Sequence, residues 1–259
     1  MPPVFIIGAC AVVVAISWYS FARSLLTGSG AIAATLVGVI VVILGSLPAA
    51  IVLLAFFTTS TLLSRWRRSR KSGMDFEKGG ARDAGQVLAN GGTACLVLLA
   101  GALFHRTGSA LVQAAFAAAI AEANADTWAT EIGSASAAIA YLITTGKVVA
   151  AGRSGGVSPA GTLAALTGAA LVAALGGILW RWPLSRVMLV ALCGLGGSLI
   201  DSLLGATLQR RYTRPDGCIT ERNEPGSLPA GGLGWMGNDA VNFLGTLTAA
   251  LAAVLIGLH

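Results

Sequence analysis

Five carboxylates lie within or at the edges of apolar stretches of this 259-residue chain: Glu122, Asp126, Glu131, Asp201 and Asp239. Four amides, Asn90, Asn124, Asn238 and Asn242, accompany them. Acids at membrane depth are costly and mark functional sites by default. On a helix, Glu122 and Asp126 are four residues apart and share a face. Glu131 lies about half a turn around from Glu122, so one straight helix cannot aim all three at one point. Either the helix breaks there or Glu131 serves another partner. No Lys or Arg occurs between Glu122 and Gly133. Carboxylates at low dielectric need cations, and an oxygen-only donor set suits Mg²⁺. Asp126, Glu131, Asp201 and Asp239 are therefore the expected metal ligands, with Glu122 beside them as a catalytic candidate. Proton- or ion-coupled carboxylates and purely structural hydrogen bonding are the other readings.

A second cluster is glycine-rich and basic. It runs from Gly146-Lys147 to Gly152-Arg153-Ser154-Gly155-Gly156-Val157-Ser158-Pro159 and leads directly into an apolar stretch. The backbone N–H groups of such a loop and the helix N-terminus behind it can cradle phosphate. Lys147 and Arg153 would add charge, with Ser154, Gly155, Gly156 and Ser158 as donors. Ser158 and Pro159 could equally cap and start a helix. Arg82, Asn90, Asn124 and Asn242 complete the phosphate-binding candidates. Asp239 has an N-cap role as its modest alternative. Cys10, Cys95, Cys193 and Cys218 show no metal spacing and read as small packing residues. His105 and His259 fall on the expected outer side, away from this chemistry. Nucleic-acid binding is excluded, because no recognition motif accompanies the Arg65–Lys71 run.

The positioning elements follow from composition. Only 11% of residues are charged and 55% are hydrophobic, and mean hydropathy is +0.78. Soluble domains carry about 25% charged residues. A disordered chain and a disulfide scaffold are both excluded, leaving an all-α polytopic membrane protein. A window of about 19 residues finds apolar segments near Val4–Ala22, Ala31–Gly45, Leu47–Leu63, Gln86–Phe104, Ala110–Ile132 (with a possible extension to Ile143), Gly161–Leu179, Val187–Leu208 and Asp239–Leu258. The first lacks a basic leader and reads as an uncleaved span. These eight spans, with a tolerance of one, form a single integral membrane domain over residues 1–259. Loops at 64–85, 144–159 and 209–236 join them on one side. The 17 Lys and Arg divide 14 to 3 in favour of that side, which the positive-inside rule makes cytoplasmic. Both termini are then outside, in a cell (inner) membrane. Trp180 and Trp182 are expected at the outer interface, Trp66 and Trp235 at the inner one. The acids and amides gather toward the cytoplasmic half, as around a shared cavity.

At these residues the sequence resembles the integral membrane family that includes the plant phytyl-phosphate kinase of the vitamin E pathway. The resemblance is carried by Arg82-Asp-Ala-Gly-Gln-Val-Leu-Ala-Asn-Gly-Gly92, Asn124-Ala-Asp126-Thr-Trp-Ala-Thr-Glu131-Ile-Gly133, Gly155-Gly-Val-Ser158, Gly197-Ser-Leu-Ile-Asp201-Ser-Leu-Leu-Gly205 and Asn238-Asp239-Ala-Val-Asn242. The family is related to CTP-dependent polyprenol kinases. Asp126, Ala129, Gly133, Lys147 and Gly155 match the order of their motif, although the relatives' Glu-Gly-Ser/Thr loop is replaced here by Gly155-Gly-Val-Ser158. The resemblance implies γ-phosphoryl transfer from a nucleotide, CTP by analogy, to a prenyl-phosphate lipid, with Mg²⁺. Polyprenol phosphorylation and cytidylyl transfer are the enzymatic alternatives, and a small-solute or ion-coupled transporter is the alternative of another class.

Overall fold

The computed structural model describes residues 2–67, 80–136 and 139–257. Among them are seven helices: α1 (Pro3–Ala22), α2 (Gly28–Arg67), α3 (Ala84–Leu103), α4 (Ala110–Ala135), α5 (Pro159–Trp180), α6 (Leu184–Thr207) and α7 (Asn238–Gly257). Six are long and apolar enough to cross a membrane, and the fold is that of an all-α polytopic membrane protein. The basic residues Arg68, Arg70, Lys71 and Lys78, the Arg67 side chain and His259 lie outside the described residues.

Helix α2 is two arms. A straight helix of 40 residues would be ~60 Å long, twice the hydrocarbon thickness. Instead, Leu25 just before it and Ser64 near its end line the same cavity. The chain reverses at Ser46, whose backbone has φ 72° and ψ 175°. The first arm (28–45) runs parallel to α3. Leu26 bridges to Arg82, Val37 packs on Gly91, and Leu98 packs on Gly45. The second arm (47–67) returns beside α4. With this reversal the described helices form eight segments of alternating direction. The dihedrals of Ser46 belong to a region that glycine alone occupies without strain. Ser46→Gly is therefore expected to stabilise the protein by about 1 kcal/mol, read as a higher thermal midpoint in detergent.

Helix α4 is the one helix too acidic to qualify as an apolar span. It needs no lipid-facing surface, because α2, α3, α5, α6 and α7 all pack on it. Every residue from Ala114 to Ala125 is buried. Small side chains make this possible. A Cβ on Gly194 of α6 would lie 2.7 Å from Ala121 Cβ, and one on Gly133 of α4 would lie 3.1 Å from Gly161 Cα of α5. Helix α1 packs chiefly on α2 and is otherwise exposed.

Three expectations change. The 144–159 and 209–236 regions are more than plain loops. Strands β1 (Ala140–Leu142), β2 (Val148–Val149) and β3 (Gly156–Val157) form one antiparallel sheet, and β4 (Arg211–Thr213), β5 (Ile219–Thr220) and β6 (Leu228–Gly231) form another. Helix α4 ends at Ala135 rather than extending toward Ile143. Trp182 is buried, stacks on Trp180 at 5.0 Å, and donates to Gln113 Oε1 at 3.3 Å. It ties the α5–α6 turn to α4 instead of floating at a lipid interface. Trp66 and Trp235 are exposed.

Candidate functional site: a polar cavity at one end of the bundle

The cavity has a volume of about 420 Å³. Helices α2 to α7 each contribute residues from one end only. Helix α3 supplies Gln86 and Asn90 from its start, and α4 supplies Asp126, Thr130 and Glu131 from its last turns. Helix α6 adds Ser198, Asp201 and Ser202, and α7 adds Asn238 and Asn242. The segment Gly152–Ser158 and the pair Glu221–Arg222 close it from outside the bundle. Among the described lining residues the cations are Arg65, Arg82, Arg153 and Arg222, and the acids are Asp126, Glu131, Asp201 and Glu221. No Lys, His or Cys is among them.

Local sequence explains how these groups are held. Asp83 caps α3 in a reciprocal capping box with Gln86: Gln86 N donates to Asp83 Oδ1 at 3.0 Å, and Asp83 N donates to Gln86 Oε1 at 3.2 Å. This pins Arg82 at the cavity rim. Burial lowers the Arg82 pKa, opposed in part by the nearby Glu131 carboxylate. Helix α4 does not break. Glu131 turns to another partner and accepts from Ser64 Oγ on α2 at 2.6 Å. Glu122 and Asp126 face the other way, where Asp201 has Asp126 and Glu221 as neighbouring carboxyls. With its amide oriented by its partners, Asn242 donates to Asp201 Oδ2 at 3.0 Å and to the Asn238 carbonyl at 3.1 Å.

The glycine loop is close-fitting. Gly155 has φ +77°, and a Cβ there would collide with the backbone of Ala206 on α6. Part of its expected donor set is already engaged. Ser154 N donates to Glu221 Oε1 at 3.1 Å, and Gly156 N donates to the Arg153 carbonyl at 2.9 Å. Ser158 caps α5, accepting from Gly161 N at 3.1 Å, with Pro159 as first helical residue. Both its cap role and its place at the cavity wall are real. Ser158→Ala is expected to cost about 1 kcal/mol of stability, measurable as a lowered thermal midpoint.

The structure brings Arg82, Asn90, Asp126, Glu131, Arg153, Ser154, Gly155, Gly156, Ser158, Asp201 and Asn242 to the cavity. It does not bring the other candidates there. Lys147 is exposed beside β2. Asn124 is buried as a clasp between helices, donating to the Gly168 carbonyl at 2.8 Å and accepting from Thr59 and Ser60. Glu122 is buried under the cavity, packed on Gly197 and Gly245, and neither of its oxygens has a hydrogen-bond partner among the described residues. Asp239, in the first turn of α7, borders a separate apolar groove. Glu221 and Arg222 were missed from sequence, because only the β4–β5 fold returns them to the bundle. Gln86 was signalled by the Asp-x-x-Gln capping spacing.

Among the described residues no three Asp, Glu, His or Cys side chains converge to hold a metal by themselves. Of the expected quartet, Asp126, Glu131 and Asp201 line the cavity from different helix faces, and Asp239 lies outside it. Mg²⁺ does not require such a cage. It is held by one or two carboxylates, with waters and substrate phosphates completing its octahedron. The neighbouring pair Asp126 and Asp201, in a cavity that also carries four arginines, fits that open mode.

The integral membrane protein family DUF92 matches residues 11–250. The chain belongs to this family. It is 34% identical to Protein PGR of Arabidopsis thaliana, over 94% of this chain and 93% of that protein. It is 29% identical to the uncharacterized membrane protein MJ0933 of Methanocaldococcus jannaschii, over 89% and 85% of the two chains. It is 24% identical to Protein VTE6, chloroplastic, of Arabidopsis thaliana, over 78% of this chain and 56% of that one. No solved structure matches.

Proposed function

We propose that this membrane protein is a Mg²⁺-dependent prenyl-phosphate kinase that transfers the γ-phosphoryl group of a nucleoside triphosphate, CTP by family analogy, to an isoprenyl monophosphate. The observation that carries the reading is the cavity itself: four arginines and four carboxylates gathered with amides and hydroxyls at one end of the bundle. Phosphoryl transfer asks for positioning and charge neutralisation more than covalent chemistry. Mg²⁺, held by Asp126 and Asp201, would polarise the transferring phosphoryl group and screen its charge. Asn242 keeps the Asp201 carboxylate oriented. Arg82, Arg153 and Arg222 offer fixed positive charge to the phosphates. An oxygen of the acceptor phosphate attacks the γ-phosphorus, the β–γ bridging bond breaks, and the nucleoside diphosphate leaves with that bridging oxygen. The acceptor is already ionised, so no strong base is needed, consistent with a lining that holds no His or Lys among its described residues.

A transporter would place polar lining about the midplane with access from both sides. Here the lining comes from one end of α2 to α7, which favours an enzyme. The Arg-rich end faces the cytoplasm by the positive-inside rule. The purified protein, given geranylgeranyl or phytyl phosphate, Mg²⁺ and each nucleotide in turn, is expected to form the prenyl diphosphate and the nucleoside diphosphate. Phosphorylation of the prenyl alcohol instead would make it a polyprenol kinase. Release of pyrophosphate would make it a cytidylyltransferase. Solute uptake by proteoliposomes that survives Asp126→Asn would overturn the kinase reading.

A further inference from the structure

The polar cavity has an apolar companion. A groove of about 550 Å³ runs along the outer face of α3, between the first arm of α2 and α7. Its wall from α2 is Leu36 and Ile40, its floor includes Ala89 and Gly92, and Phe243 flanks it from α7. That volume falls within the roughly 300–1,000 Å³ of small-molecule sites. We propose that this groove holds the single isoprenoid tail of the lipid acceptor while its phosphate sits in the polar cavity. The inference rests on the kinase reading above for the identity of the acceptor.

Three observations carry it. First, the groove and the cavity share their walls. On α3, Gln86 and Asn90 face the cavity while Leu88, Ala89 and Gly92 face the groove. On α7, Asn238 and Asn242 face the cavity while Ala240 and Phe243 face the groove. The two helices are clasped by Thr93 Oγ1 and Thr246 Oγ1 at 2.8 Å. Only the first turns of α3 and α7 stand between groove and cavity, and a lipid that used both would cross there. Second, charge is placed for such a molecule. Arg82 lies just before α3 on the cavity side of that crossing, whereas the groove lining is apolar apart from Asp239 at the same end. Third, the length suits a chain in one leaflet. From Gly85 to Leu96 the groove follows twelve residues of helix, ~16 Å at 1.5 Å per residue and about half the ~30 Å hydrocarbon core.

Two measurements on the full-length protein in nanodiscs test this. A prenyl monophosphate carrying a diazirine on its last isoprene unit is irradiated with the protein. Crosslinks are expected on the peptides holding Leu88–Leu96, Leu36–Ile40 and Phe243, and are competed by excess geranylgeranyl phosphate. Label on the outer faces of α1 or α6 instead, or label competed only by phospholipid, would overturn the proposal. The second measurement fills the groove. A Cβ at Gly92 meets only the Phe243 ring, at 3.6 Å, so Gly92→Leu projects into the groove without a backbone clash. The KM for geranylgeranyl phosphate is expected to rise roughly tenfold more than that for dimethylallyl phosphate. Equal changes for the two acceptors would overturn it. If Gly92→Leu lowers the thermal midpoint, Leu96→Trp takes its place, because Leu96 is half exposed in the groove. If no prenyl phosphate is phosphorylated by the wild-type protein, the kinase reading fails, and the crosslinking result still decides the groove.

Discussion

Asp126→Asn is expected to lower prenyl diphosphate formation by roughly 10²–10³-fold while leaving the thermal midpoint near that of the native protein. Asp126 sits in the last turns of α4 at the cavity, with the buried carboxyls of Glu122 and Asp201 as its neighbours. If it holds Mg²⁺ against the donor phosphates, loss of its charge removes stabilisation where the transition state needs it. The amide keeps shape and volume, so packing of α4 should survive. Asp201→Asn is expected to act in the same direction, and the double variant to add little beyond either single change, because the two carboxylates would serve one ion. A fully active Asp126→Asn protein would sink the metal role assigned to it. Glu131→Gln is the internal comparison. Its carboxylate is engaged by Ser64 on another face of α4, so its effect should be smaller and more a matter of α2–α4 geometry.

The second large effect concerns the floor of the cavity. Gly197→Val on α6 is expected to destabilise the protein by about 3 kcal/mol or to prevent assembly. A Cβ at Gly197 would lie 2.6 Å from Glu122 Cγ, 2.9 Å from Ala249 Cβ and 2.9 Å from the Gly245 carbonyl. Two of these belong to α7, and the contacts come from two different helices, so no single rotamer change relieves them. The helices α4, α6 and α7 would have to separate, and with them the residues Asp126, Asp201 and Asn242. Gly196, one residue earlier, has nothing within 4 Å of the same added atom. Gly196→Val should therefore be tolerated. Thermal unfolding of the two variants in the same detergent separates a packing role from a general cost of valine for glycine. Equal midpoints would show that this close approach is not needed.

The relation of sequence to site is clear in particular residues. Asn90, Asp126, Asp201 and Asn242 were readable because a polar group inside an apolar stretch has few bland explanations, and Arg82 because it ends a basic loop at the start of such a stretch. Asn124 and Asp239 carried the same signal and went elsewhere. An amide can be spent on clasping helices, as Asn124 does between Gly168 and the Thr59–Ser60 turn. At a helix start, one residue of offset turns Asp239 toward the groove while Asn238 and Asn242 line the cavity. A helical residue rotates by about 100° per position, and a hydropathy window does not resolve that angle. Lys147 matched a family order, yet its place beside β2 leaves it exposed.

By itself the sequence determined that this is a polytopic membrane protein, where its apolar segments lie, and that its rare acids are concentrated toward one side. Those properties follow from composition and from where each residue type is tolerable along the bilayer normal. The tertiary structure decided which acids meet. It folded α2 back at Ser46, wrapped α4 completely so that carboxylates need not face lipid, and brought Glu221 and Arg222 in from a small sheet. It also separated a polar cavity from the apolar groove beside it. Convergence of this kind depends on helix rotation and on close approach at glycines such as Gly155, Gly197 and Gly245. These are relations between segments far apart in the chain, and no local pattern of residues specifies them.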